Sequence, residues 1–93
     1  MAVISGQKVV AAAGTAERLS AGLVVNGPVL VKALTTNVGL VYVGNVDGDV
    51  SSANGLPLAA GQSVEFEQVG NLMEIWVDAA ANGEGVAWLG MEV

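Results

Sequence analysis

Ninety-three residues make room for one domain, not for two with separate cores. With no cysteine and no histidine, the chain has no disulfide, no thiolate or imidazole metal site, no thiol nucleophile and none of the commonest general base. A net charge of −6, a pI near 4.1 and three scattered bases, Lys8, Arg18 and Lys32, exclude the cation cluster that nucleic acid or an anionic membrane surface requires.

Thirteen glycines cut the chain into short Val- and Leu-rich runs with period-two alternation, which predicts many short strands joined by tight turns. The first run is Gln7 to Ala13, ended by Gly14-Thr15. Met1 to Ala13 carries Lys8 in its middle and does not read as a signal peptide. No apolar run nears the roughly 20 residues that span a bilayer. Ala16 to Leu19 fits either a short strand or a turn of helix. Val24 to Gly27 leads to Pro28. Val29 to Thr36 is a strand with Val29, Val31 and Ala33 on one face and Leu30, Lys32 and Leu34 on the other. Leu40 to Val43 follows after a turn at Asn37. Asn45 to Gly55 is the longest polar stretch, with a tight turn at Asp47-Gly48.

Leu56-Pro57-Leu58 belongs at an edge or outside the sheet, because Pro57 has no N–H to donate. Ser63 to Gln68 sets Val64 and Phe66 against Ser63, Glu65 and Glu67, giving one buried and one wet face. Leu72 to Asp78 reads as a strand with Met73, Ile75 and Val77 opposite Leu72, Glu74, Trp76 and Asp78. Gly85 to Val93 closes the chain. Seven or eight short strands with connections too short for parallel crossovers predict a single all-β domain over residues 1–93. It is a small antiparallel sandwich or barrel, jelly-roll or immunoglobulin-like, with residues 1–13 as an N-terminal arm or first strand.

Hydrophobic residues are 53% of the chain and charged residues 13%, about half the usual charged share. A small domain has much surface to cover, so apolar groups must face outward, and such surface marks an interaction site. Val29–Leu34 and Leu72–Val77 are apolar on both faces, so the second face either meets another layer, another subunit or a partner, or is covered by loops of a wide sandwich. The expected contact residues are Leu40, Tyr42, Leu72 and Trp76, on faces the core does not use, together with the N-terminal arm.

The remaining chemistry is sparse. Serine catalysis needs a base beside the hydroxyl, and Lys8 and Lys32 sit in no motif for it. Glu65 and Glu67 share a strand face but lack the cleft and stacking aromatics of a glycosidase. They read as a solvated face that discourages edge pairing. Asn45-Val46-Asp47-Gly48-Asp49 spaces oxygen side chains as calcium loops do. The twelfth position, however, is Leu56 rather than a bidentate Glu, and flanking helices are missing. No glycine cluster forms a phosphate cradle. The expectation is a protein without enzymatic activity, cofactor or metal, with no nucleic-acid or membrane partner.

Five segments then occur in a suggestive order: Val31-Lys32-Ala33-Leu34, Gly39-Leu40-Val41-Tyr42-Val43-Gly44, Gly55-Leu56-Pro57-Leu58-Ala59-Ala60-Gly61-Gln62-Ser63-Val64, Ile75-Trp76-Val77-Asp78 and Gly85-Val86-Ala87-Trp88-Leu89. Spread over about sixty residues, they resemble small virion structural proteins of tailed bacteriophages. The motifs are structural rather than catalytic, and residues 1–26 match no pattern of that kind. The resemblance implies a β-sandwich subunit at the virion surface, assembled in the host cytoplasm. It would be a capsid decoration (cement) protein that binds the major capsid protein and itself, a trimer being favoured, and stabilises the head. The alternative it implies is a tail- or head-fibre module that recognises a host glycan or protein through the Asn45–Asn54 loop.

Overall fold

The computed structural model describes residues 2–20, 24–45 and 49–92. The Asp47-Gly48 turn, and with it the centre of the Asn45–Asp49 loop, lies outside the described residues. Eight strands form two four-stranded antiparallel sheets. Their bounds are β1 Ala2–Val9, β2 Glu17–Arg18, β3 Val24–Ala33, β4 Val41–Gly44, β5 Leu56–Leu58, β6 Ser63–Asn71, β7 Trp76–Ala79 and β8 Gly85–Glu92. Sheet A has the order β1-β8-β3-β6 and sheet B the order β2-β7-β4-β5.

In this order β1 pairs with β8, β2 with β7, β3 with β6 and β4 with β5. One long hairpin, closed at β4–β5 and rolled on itself, produces that nesting. This is the eight-stranded jelly roll, one of the two sandwiches the strand pattern predicts.

The core lies between the sheets because alternation aims one side of every strand inward. Val29, Val31 and Ala33 of β3, with Val86 and Trp88 of β8, meet Val41 and Val43 of β4 and Val77 and Ala79 of β7 in one buried cluster. Ile4, Val64 and Phe66 pack at its margin. The side chains inside are mostly valine, which suits a pleated surface and loses little rotamer freedom there.

Two elements differ from the sequence expectation, and a third, left open there between strand and helix, is decided. The first strand is Ala2–Val9 rather than Gln7–Ala13, so residues 2–9 are built into sheet A and only the segment after them leaves it. Ala16–Leu19 holds a two-residue strand, not a helical turn. Leu72–Asp78 is not one strand: Leu72–Glu74 is a turn of 3₁₀ helix capped by Asn71, whose side chain accepts from the Met73 N–H at 3.0 Å, and only Trp76–Ala79 is β. The polar cap competes with the ladder and wins at the point where the chain must cross from sheet A to sheet B.

Two glycines answer to geometry. Gly27 has φ +115° within the irregular stretch where β3 shifts register against β6, a conformation that disfavours a side chain. Gly85 opens β8 so close to β1 that an added Cβ would collide with the Lys8 carbonyl oxygen. Pro57 sits in β5 at the free edge of sheet B, as its missing N–H demands.

Candidate functional site: the outer face of sheet A

The two sheets treat their outer faces differently. On sheet B, Tyr42 lies opposite Asp78 on one side and Pro57 on the other, and Trp76 lies opposite Arg18 and Gly44. That face is largely covered by the chain itself. Val50 is buried although it lies outside the main core. It and Gly55 press on β4 so tightly that a Cβ on Gly55 would sit 2.8 Å from both Tyr42 Cβ and a Val50 methyl. The Arg18 guanidinium rests over the Trp76 ring, 5.3 Å from its centroid. The loop after β1 is tied on as well. The buried Asp78 carboxylate accepts from the Gly14 N–H at 3.0 Å, and Asn82 Oδ1 accepts from the Ala13 N–H at 2.7 Å.

The four residues expected to make contacts therefore separate. Leu40 is 40% exposed at the entry to β4. Tyr42 and Trp76 are half-buried under loop and guanidinium. Leu72 is a correction: the 3₁₀ turn rotates it into the core, it is 0% exposed, and it has no surface to offer a partner.

Sheet A has no such cover among the described residues. Leu89 of β8 stands between Ser5 of β1 and Leu30 of β3, with Glu65 of β6 next in line. One row over, Val3 faces Met91; on the other side Gln7, Ala87, Lys32 and Ser63 form a third row. Antiparallel pairing places directly opposed side chains on one face about 5 Å apart, so these rows form a continuous surface. Val3 is 70% exposed, Leu89 46% and Leu30 36%. With Val9, these supply four of the seven exposed large apolar side chains among the described residues. Val3, Pro28, Leu30, Leu89 and Met91 line a shallow hollow with Glu65 at its rim, and Lys32 borders a second hollow beside it. The surface thus has an apolar centre and a rim of one carboxylate, one ammonium and small polar groups.

Leu30 is on the partner-seeking side of a strand that the sequence marks as apolar on both faces, and alternation identifies it. Val3, Leu89 and Met91 are harder to find, because only the strand order brings β1 and β8 beside each other and beside Leu30 of β3.

Glu65 stands at the rim of the apolar hollow and Glu67 does not line it, so the two carboxylates do not flank a common cleft. Among the described residues no three carboxylates are grouped to hold a metal ion, and no helix is long and apolar enough to cross a membrane. No family model matches the chain, and no curated protein does.

Proposed function

We propose that the protein is a non-enzymatic virion structural protein, a capsid decoration subunit that seats the outer face of sheet A on the shell formed by the major capsid protein. The observation that carries this reading is the apolar patch Val3, Met91, Leu89 and Leu30 on one sheet, uncovered among the described residues, beside a second sheet whose outer face is largely covered by its own loops. Apolar area of this kind, rimmed by polar groups, is what a protein–protein contact requires. The jelly roll is used by viral coat proteins among other functions, and the segments from Val31 to Leu89 resemble phage virion proteins. Both support the particle as the partner.

Docking needs no chemistry on this reading. A fully buried leucine contributes about 1.5–3 kcal/mol, and repetition over a lattice sums weak contacts into firm attachment. The experiment is co-sedimentation of the purified protein with heads of the phage that encodes it, for the wild type and for Leu89→Glu. The expected result is saturable binding by the wild type, weakened at least tenfold in Leu89→Glu with an unchanged circular dichroism spectrum. Binding to tails or to host cells instead would replace this reading with the fibre-module one. Equal binding to heads by both proteins would move the contact off sheet A.

A further inference from the structure

A jelly roll has four free strand edges, and three of them here carry a device against pairing. The β6 edge presents Glu65 and Glu67, exposed and acidic. The β5 edge is three residues long and contains Pro57, and the β2 edge is two residues long. Short strands, prolines and charges are what keep edges from joining other chains.

The fourth edge is β1, eight residues from Ala2 to Val9 without proline, bulge or acid, its one charged residue being Lys8. The direction of its free backbone groups follows from Gly85. The Gly85 N–H donates to Asn37 Oδ1 at 3.2 Å, and its carbonyl accepts from the Leu34 N–H at 3.0 Å, so both point away from β1. Val9, opposite Gly85, is therefore in a non-hydrogen-bonded pair, and its own N–H and C=O face the open side. The register runs unshifted from Val9 to Ala2, so alternation turns the N–H and C=O of Gln7, Ser5 and Val3 outward as well.

We infer that β1 pairs antiparallel with β1 of a second copy of this chain, across a dyad at Gly6, joining two A sheets into one eight-stranded sheet. Val3 then lies opposite Val9 of the second copy and Ser5 opposite Gln7, apolar against apolar and polar against polar on the outer face. The occupant is a second copy for two reasons. A single unprotected edge is saturated when two copies meet, which closes the assembly without leaving an edge to grow a fibre. Charge permits it: Lys8 on β1 is paired with Glu17 at 3.0 Å, while Glu65 and Glu67, part of the net −6, sit on the opposite edge of the same sheet. This surface is the edge of sheet A, not its face, and the inference stands whatever the face binds. It favours a two-fold assembly over the trimer that the phage resemblance implies.

The test is mass by light scattering combined with amide hydrogen exchange. The wild type is expected at twice the protomer mass, with the Val3, Ser5, Gln7 and Val9 amides protected. Ser5→Pro removes one outward N–H without touching the β1–β8 ladder and is expected to give a monomer. Ser5→Lys with Gln7→Lys sets like charges opposite each other and is expected to do the same, whereas Ser5→Lys with Gln7→Glu restores the dimer. Ser63→Pro, on the blunted edge, leaves the dimer intact. A wild-type monomer or trimer at 200 μM, free exchange at Ser5 and Gln7 in the wild type, or no rescue by the Lys/Glu variant overturns the inference.

Discussion

Asn37 shows how much one side chain fastens. It is buried, its Nδ2 donates to the Gly85 carbonyl at 2.8 Å and its Oδ1 accepts from the Gly85 N–H at 3.2 Å, so the start of β8 hangs on it. Asn37→Ala strips the Gly85 N–H of its acceptor. The expected loss is about 1–3 kcal/mol in urea denaturation, the usual cost of a stranded buried group. Glu17 has a different role. The Ala11 N–H and then the Lys8 ammonium hold its carboxyl below the ordinary value of 4.5. A depressed folded-state pKa means that stability is present above pH 4.5 and is lost as pH falls through the lowered value. Urea midpoints measured from pH 6 down to pH 3 should therefore decline more steeply in the wild type below pH 4.5 than in Glu17→Gln, which starts lower and stays flatter.

At the scale of elements, what was legible in the sequence depended on alternation and turn residues. Ser63–Gln68 reads correctly because Val64 and Phe66 alternate with charged and polar partners, and the structure only lengthens the strand to Asn71. Pro57 marks an edge by its missing N–H, and β5 is one. Strand β1 is less legible, since Gly6, Gln7 and Lys8 weaken its pattern; its conformation is fixed by β8, a partner far along the chain. Leu72 is misplaced for a local reason, the Asn71 cap that winds the next three residues. The contact face escapes the sequence because it takes side chains from three strands at once, while Tyr42 and Trp76 look free until Val50, Gly55 and Arg18 are seen to cover them. The tightest element contact is β1 against Gly85. Gly85→Ala drives a methyl into the Lys8 carbonyl oxygen, and since backbone must move, a loss of about 3 kcal/mol or more is expected in thermal unfolding, with the β1 amides the first to lose exchange protection.

Across the whole molecule, core and contact face are built from the same strands but opposite residues, so they can be altered separately. Leu30→Lys together with Leu89→Glu changes only outward side chains. The thermal midpoint is expected to stay within about 2–4 °C of the wild type, a shift equivalent to about 0.5 kcal/mol in a domain of this size. Binding of a fluorescent apolar dye to the native protein should fall. Loss of the fold in this double variant would show that those leucines serve the interior after all.

The nested pairing of the strands has a consequence for how the chain comes into being. On the ribosome Ala2–Val9 emerges before the other seven strands, yet its partner Gly85–Glu92 follows all of them. Strand β8 also lies between β1 and β3, so β1 has no neighbour in sheet A until β8 is made. The β4–β5 hairpin is the first pair that can form, with β3–β6 next, and assembly spreads outward from it. Refolding from denaturant should be slow for so small a domain, on the order of milliseconds to seconds. During translation the valines of β1 and β3 must wait unpaired, exposed to whatever holds nascent chains apart.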